Sequence, residues 1–312
     1  MVRLTNNSSI GDKMEEISSV KENEEKMPPV KENNQFFKRV FTGAFIILSV
    51  SAAFFLRQFF LDSVGLHLFD IMYFAFAVVG TIEMVRVFKD KMTFFEKTVV
   101  LVFSVGYVPV CSFLGIKTGI LMLMAAVVML ISDNVFSFEK KTIEGLGYSI
   151  LTLFYPTVLL TGGIYINHQV GLECLLLLFI VSAFSDSGAM IFGVIFRGRK
   201  LYPKISPKKT ISGAFGGLFG GTVAAMAIWA FVRGSITDVI GLEIAVYVLA
   251  GILGSIATQF GDLVEGAFKR KIGIKDFGDI LPGHGGMLDR IDGLFFNSFF
   301  LVLYFALISV IF

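Results

Sequence analysis

Long apolar runs recur along the chain from Val40 to its end, and they restrict the possible fold more than any other feature. About 20 mostly apolar residues are enough for a helix to cross the hydrocarbon core of a bilayer. The runs of this kind are about 40–60, 67–88, 98–114, 116–132, 146–166, 171–195, 212–232, 239–262 and 293–312. Because a segment in lipid must satisfy its own backbone hydrogen bonds, we expect an all-α, polytopic integral membrane protein with about nine transmembrane helices.

The composition excludes several other classes of protein. Apolar residues make up 55% of the 312 residues and charged residues 17%, with a mean hydropathy of +0.77, which excludes an ordinary soluble enzyme and a disordered chain. The net charge of +2 is too small for binding through bulk charge, so no nucleic-acid partner is expected. Cys111 and Cys174 both lie in apolar runs, so a disulfide framework is not expected.

The first 35 residues differ in composition from the rest of the chain. They carry 5 basic and 7 acidic residues with Asn, Ser and Pro between them, and they lack the apolar middle region of a signal peptide. Such a segment cannot bury enough apolar surface to fold, so residues 1–35 are predicted to form a disordered tail. The rest is predicted to comprise N-terminal transmembrane helices, 36–170, and a C-terminal transmembrane catalytic region, 171–312.

The distribution of basic residues predicts an orientation. Lys and Arg precede the first run and follow the second, fourth, sixth and eighth runs, whereas the opposite loops contain little beyond Lys117 and Arg233. Cytoplasmic loops of membrane proteins carry an excess of Lys and Arg. We therefore predict a cytoplasmic N-terminus, a C-terminus on the other side, and a cytoplasmic face for the two most charged loops.

The loop between the eighth and ninth runs contains an unusual set of charged residues. Asp262 and Glu265 are three residues apart, as are Asp289 and Asp292, so each pair projects from one face if the segment is helical. Mg²⁺ binds such carboxylates together with substrate phosphates, and glycines allow backbone N–H groups to approach phosphate. The cations and glycines of this loop include Lys269, Arg270, Lys275, Gly278, Gly283, Gly285 and Gly286. The pattern indicates metal-assisted phosphoryl or nucleotidyl chemistry.

The loop after the sixth run is also basic, and it contains the ordered segment Ser206-Pro207-Lys208-Lys209-Thr210. Its charge alone is explained by topology and by attraction to anionic lipid head groups. The order of the residues also indicates phosphate binding, because Pro fixes a turn and the two cations with hydroxyls suit phosphate oxygens.

Asp186 lies inside the sixth run, and an ionisable residue within an apolar span is by default a functional candidate.

Taken together, these segments resemble the signature of the phosphatidate cytidylyltransferases, which are also called CDP-diacylglycerol synthases. The matching residues are Gly261-Asp262-Leu263, Glu265, Lys269-Arg270, Lys275-Asp276, Leu281 to Gly286, Leu288-Asp289-Arg290 and Asp292. Ser206 to Thr210 matches a second element of the family and Asp186 a third. The sequence departs from the pattern at Gly266 and Gly293, where Ser is usual, near Ser212, where Glu is expected, and at Met190, where an aromatic residue is common.

The resemblance implies a reaction and its participants. The family transfers the cytidylyl group of CTP to phosphatidic acid, giving CDP-diacylglycerol and pyrophosphate for phospholipid biosynthesis. It implies Mg²⁺ as the cofactor, with one or two divalent ions bound. Whether a monovalent cation also binds is left open. The implied partners are CTP, phosphatidic acid and membrane lipid, with a homodimer as found for many members. The implied location is the inner (plasma) membrane, with the active site facing the cytoplasm.

The resemblance also assigns roles to individual residues. The expected catalytic residues are Asp262, Lys269, Asp276, His284, Asp289 and Asp292. The expected substrate-binding residues are Lys208, Lys209, Arg270, Lys275, Gly283, Gly285, Gly286 and Arg290. The expected metal ligands are Asp262, Asp289, Asp292 and Asp186. For His284, donation to a phosphate oxygen and a structural hydrogen bond both remain open.

Three alternatives remain. Asp289-x-x-Asp292-Gly293 copies the start of the CDP-alcohol phosphatidyltransferase motif, but the Ala-Arg continuation is missing and no Asp follows Asp292. A transporter would line an ion path with carboxylates, whereas here they cluster near one predicted face. A catalytically inactive scaffold is the third, since Gly266 and Gly293 replace hydroxyl residues. Metal-dependent release of pyrophosphate distinguishes the proposed enzyme from the last two.

Overall fold

The computed structural model describes residues 32–60, 63–137, 142–232, 239–281 and 285–311, and most of these residues are helical. The α-helices, in chain order, are α1 (Glu32–Phe59), α2 (Ser63–Val87), α3 (Phe94–Leu114), α4 (Ile116–Phe136), α5 (Ile143–Phe154), α6 (Thr161–Tyr165), α7 (Leu172–Leu176), α8 (Ser182–Phe196), α9 (Ile211–Val232), α10 (Ile240–Ile272) and α11 (Leu288–Ile311). A 3₁₀ turn, Val158–Leu160, and two π-helical segments, Ile166–Val170 and Leu177–Val181, join the shorter helices. Residues 1–31 of the predicted tail lie outside the described residues, and α1 begins within its last part.

Within the described residues, nine helical segments are long and apolar enough to cross a membrane, which confirms the predicted membrane architecture. Two of them are composite: Ile143–Val170 contains α5, a turn at residues 155–157, the 3₁₀ turn, α6 and a π-helical segment, and Leu172–Phe196 contains α7, a π-helical segment and α8. Ile143–Val170 is the most buried of the nine and the part of α1 from Val40 to Phe59 is the least buried. The fifth span therefore lies at the centre of the bundle and α1 at its edge.

Two helices extend further than the hydropathy predicts. α10 continues to Ile272 instead of ending near residue 262, and α11 begins at Leu288 instead of near residue 293. The apolar runs stop where charged residues begin, but the helical backbone continues because those charges have partners in the folded chain. α10 ends at Gly273, whose N–H donates to the carbonyl of Lys269.

Among the described residues, the sheet structure is a small antiparallel hairpin. Strands β1 (Lys200–Tyr202) and β2 (Ser206–Thr210) pair with Lys200 opposite Thr210 and Tyr202 opposite Ser206. The sequence predicts a loop with a turn fixed by Pro207, whereas the structure places Pro207 within β2 and the turn at residues 203–205. Pro207 is compatible with the hairpin because each strand has only one neighbour, so a missing N–H does not interrupt a wider sheet.

Glycines allow α9 to pack closely against α8 and α10. A Cβ atom at Gly213 would lie 2.7 Å from the carbonyl oxygen of Ala189, and one at Gly220 would collide with the carbonyl oxygen of Phe184. Small residues at such spacing let membrane helices approach closely. This packing brings the hairpin and the charged part of α10 to the same end of the bundle.

We predict that Gly220→Ala destabilises the protein, because the new methyl group meets backbone atoms of α8 that cannot move independently. The expected loss is about 1–3 kcal/mol, reduced by the gain in helix propensity of roughly 1 kcal/mol. Gly147→Ala is the matched control, since a Cβ atom there has no neighbour within 4 Å. Thermal unfolding in detergent should show a lower Tm for Gly220→Ala only. An unchanged Tm in both variants would contradict the packing assignment.

Candidate active site

The charged end of α10 places a lysine between two carboxylates from different helices. Lys269 Nζ lies 2.6 Å from Glu265 Oε2, one helical turn away, and 2.9 Å from Asp289 Oδ1 on α11. The side chains of Glu265 and Asp289 are each only 4% exposed. Burying an uncompensated charge is costly, so Lys269 both neutralises these carboxylates and fixes α10 against α11.

Asp289 also holds the loop that connects these helices. Its Oδ2 atom accepts hydrogen bonds from the N–H of Gly286 at 2.8 Å and from the N–H of Phe277 at 3.1 Å. Gly285, which precedes this contact, has a φ of +84°, a conformation that glycine adopts readily. Both carboxylate oxygens of Asp289 thus accept hydrogen bonds within the chain.

Glu83 on α2 caps the start of α11 across 205 residues of sequence. Its Oε1 accepts the N–H of Met287 at 2.8 Å and its Oε2 accepts the N–H of Leu288 at 3.0 Å. A Cβ atom at Gly278 or Gly286 would lie 2.6 or 2.7 Å from Glu83 Oε1, so these glycines leave room for the carboxylate. Sequence reasoning gave Glu83 no role at the site, although a carboxylate inside an apolar run was an available signal.

A second set of carboxylates, here called the acidic cluster, consists of Asp186, Asp262 and Asp292. Asp262 forms an ion pair with Lys209 on β2. Asp292 is only 7% exposed and interacts electrostatically with Asp262. Asp186 on α8 interacts with Asp262 and with the cations Lys209 and Arg290. The cluster therefore joins α8, β2, α10 and α11.

Two polar atoms at these carboxylates have no hydrogen-bond partner among the described residues: Tyr155 Oη and Glu265 Oε1. Tyr155 lies within electrostatic range of Glu265 and Asp292, and its ring packs against Phe268 and Phe295 with centroids 5.5 and 5.4 Å away. Buried polar atoms normally have partners. The site therefore retains capacity for a polar ligand. Nothing in the sequence motif pointed to Tyr155.

The two glycines that replace the usual serines lie at close contacts. A Cβ atom at Gly266 would lie 3.1 Å from Ile205 Cγ2 of the hairpin, and one at Gly293 would lie 2.7 Å from Thr258 Cγ2 on α10. Arg270 Nε also donates to the carbonyl of Ile205 at 3.3 Å. The glycines let the hairpin and α11 approach α10, so their positions have a packing explanation.

The structure brings most of the sequence-predicted residues to one end of the bundle. The acidic cluster, Lys209, Lys269, Gly285, Gly286 and Asp289 are connected by the contacts above, and a Cβ atom at Gly285 would lie 3.5 Å from Asp276. Of the other sequence-predicted residues, Lys208, Arg270, Lys275, Asp276 and Arg290 are exposed. Gly283 and His284 lie outside the described residues.

Comparison with protein families and known proteins gives a consistent result. A family model described as "Cytidylyltransferase family" matches residues 37–308. The chain is 38% identical over 176 residues to a phosphatidate cytidylyltransferase of Staphylococcus haemolyticus, which is 56% of this chain and 64% of that protein. It is 42% identical over 134 residues to the protein of the same name from Staphylococcus aureus strain COL, which is 42% of this chain and 48% of the relative. The matched part thus spans less than two thirds of each relative.

We predict that Glu83→Ala loosens the loop before α11, because the N–H groups of Met287 and Leu288 lose their acceptors. Leaving buried donors unpaired costs about 1–3 kcal/mol each. The measurement is amide hydrogen exchange of these two residues together with thermal unfolding in detergent. Glu144→Ala, at an exposed carboxylate on α5, is the control and should change neither quantity appreciably. Equal protection of Met287 and Leu288 in all proteins would contradict the capping role.

Proposed function

The chain belongs to the cytidylyltransferase family, and we propose that it is a phosphatidate cytidylyltransferase that acts within the membrane. It would transfer the cytidylyl group of CTP to phosphatidic acid, giving CDP-diacylglycerol and pyrophosphate for phospholipid biosynthesis. The observation that carries this proposal is the acidic cluster with Lys209 and Lys269, which joins four elements at one end of the bundle. The lysines, together with a cation held by the carboxylates, would neutralise two polyanionic substrates.

The proposed reaction needs no strong general base. A phosphate oxygen of phosphatidic acid forms a bond to the α-phosphorus of CTP while the bond from that phosphorus to the bridging oxygen breaks. The electron pair leaves with pyrophosphate. By analogy with phosphorylated side chains, the phosphate monoester is largely ionised near neutral pH and is already a nucleophile. The protein must therefore neutralise charge and hold the reacting groups in line.

Cations of the chain would carry much of this neutralisation. Lys209 reaches Asp262 from the hairpin, next to the exposed Lys208. Arg270, Lys275 and Arg290 are exposed at the same end of the bundle, where substrate phosphates can reach them. Lys269 is held between two buried carboxylates, so we assign it to positioning the loop and α11 as well as to charge balance.

The donor atoms fit a divalent oxygen-binding cation. Mg²⁺ prefers carboxylate oxygens with water and substrate phosphate as further ligands, and the acidic cluster offers three carboxylates beside the unpartnered Glu265 Oε1. We propose that Asp186, Asp262 and Asp292 hold one or two Mg²⁺ ions. When bound, the metal would offset charge that develops on the leaving pyrophosphate. Asp289 was also expected as a ligand, but its hydrogen bonds favour a role as anchor of the loop.

The proposed location and orientation follow from the sequence and the relatives. The relatives are bacterial, and nine described segments are able to span a membrane, so we propose the plasma membrane. The basic loops support a cytoplasmic N-terminus and a site that faces the cytoplasm. CTP would then reach the site from the aqueous side and phosphatidic acid from the adjacent leaflet. A homodimer stays a prediction of the family resemblance.

The first test is a reconstitution of the reaction in mixed micelles. Purified protein, phosphatidic acid, labelled CTP and Mg²⁺ should give labelled CDP-diacylglycerol and pyrophosphate in equal amounts. EDTA should abolish the product and excess Mg²⁺ should restore it, whereas K⁺ alone should not. Folded protein that forms no product with any nucleotide or metal would contradict the proposed activity and favour the scaffold or transporter alternatives.

Variants of the acidic cluster test the site. Asp262→Asn and Asp292→Asn should each lower kcat by roughly 100-fold or more, because they remove charge that positions a cation at the reacting phosphates. The required Mg²⁺ concentration should rise in parallel. Asp279→Asn is the matched control, since this aspartate lies between α10 and α11 and is exposed. Retention of full activity by Asp292→Asn would place the metal elsewhere.

A further inference from the structure

A second group of ligand-type side chains lies at the opposite end of α2 from the candidate active site. His67, Asp70 and His168 each offer one ligand atom, and these atoms all lie within 4.8 Å of one another. Asp70 and Glu83 are about 20 Å apart along α2, at about 1.5 Å per residue. The group is therefore separate from the acidic cluster, and the proposed reaction does not use it.

The three side chains are already oriented toward one another. His168 Nε2 lies 2.6 Å from Asp70 Oδ2, and Nδ1 of His67 lies 2.7 Å from Ser112 Oγ, so Nε2 of His67 is not occupied by that contact. The rings of His67 and His168 are 5.5 Å apart between centroids, and His67 stacks on Phe113 at 4.3 Å. Two imidazoles thus lie beside one carboxylate, which is more than a simple Asp–His hydrogen bond requires.

A surrounding set of hydrogen bonds supports these groups. Asn167 Nδ2 donates to Asp70 Oδ1 and to the carbonyl of Leu66, both at 2.9 Å. Arg57 Nε in turn donates to Asn167 Oδ1 at 2.7 Å. Metal-binding carboxylates and histidines are commonly held by such outer partners. Asn167 and His168 belong to the π-helical segment Ile166–Val170, a conformation that often occurs at functional sites.

We propose that His67, Asp70 and His168 bind a Zn²⁺-type divalent transition-metal ion, with water as the fourth ligand. Two imidazoles and one carboxylate are a typical zinc donor set with an open position, whereas Mg²⁺ prefers oxygen ligands alone. Tetrahedral zinc places its ligand atoms about 3.4 Å apart, so small side-chain rotations suffice. On metal binding, the hydrogen bond between His168 Nε2 and Asp70 would be replaced by bonds to the ion, and the neutral imidazole would carry its proton on Nδ1.

Access and connectivity are consistent with an exchangeable site. Asp70 is 3% exposed, while His168 is 16% exposed and so reachable from outside the bundle. The ligands come from the second span and from the fifth, which lies at the centre of the bundle. A bound ion would therefore link these two spans at the end opposite the acidic cluster.

Histidine-selective NMR provides a direct test, because the chain contains only three histidines. The full-length protein without a histidine tag is labelled at histidine and titrated with Zn²⁺ in detergent. The imidazole signals of His67 and His168 should shift at one equivalent of Zn²⁺. The His284 signal, identified by its loss in His284→Gln, should not shift. Mg²⁺ should shift neither the His67 nor the His168 signal. Unshifted His67 and His168 signals at saturating Zn²⁺ would overturn the proposal, with a metal-free hydrogen-bond network as the remaining explanation.

Variants provide an independent measurement of zinc affinity. Asp70→Asn and His168→Gln should each weaken Zn²⁺ binding by roughly 100-fold or more, and Asn167→Ala by about 10–100-fold as an outer partner. His284→Gln, the matched control, should bind Zn²⁺ as tightly as the unmodified protein. Unchanged affinity in Asp70→Asn would overturn the proposal. The titration of the unmodified protein decides the question if a variant does not fold.

Discussion

Everything at the candidate active site depends on keeping buried carboxylates compensated inside an apolar helix bundle. Lys269 lies between Glu265 and Asp289, and Lys209 reaches Asp262 from the hairpin. An unpaired buried charge would cost several kcal/mol. Each carboxylate is therefore stable only in the position where it pairs with its lysine. The same contacts explain why α10 and α11 continue as helices beyond their apolar runs.

Carboxylates also accept hydrogen bonds from backbone N–H groups that lack a partner in their own helix. The N–H groups at the start of α11 have no acceptor within their own helix, and Glu83 of α2 accepts two of them. Asp289 accepts two further N–H groups of the preceding loop. The loop is thus held by carboxylates from both halves of the chain. Both carboxylate oxygens of Asp289 are engaged in this way, which is why we propose the acidic cluster as the metal ligands.

Close helix contacts determine which carboxylates meet. Gly293 faces Thr258 and Gly266 faces Ile205, so glycine at these positions brings α11 and the hairpin against α10. Comparison with the family motif alone indicates that serine hydroxyl groups are missing at these two positions. The structure supplies a different physical reason at Gly293, where a Cβ atom would lie 2.7 Å from Thr258 Cγ2, while at Gly266 the contact with Ile205 Cγ2 would be tight at 3.1 Å.

The sequence alone determined the membrane-spanning architecture, since runs of apolar residues have few other solutions, and it identified the residues of the acidic cluster through an ordered motif. It could not reveal the cap by Glu83, which lies 205 residues from Leu288, or the pairing of His67 with His168, which also come from distant parts of the chain, because no local pattern links them. Only the tertiary structure decided which charges neutralise one another, because ion pairs and caps depend on distances between helices that hydropathy and spacing do not specify.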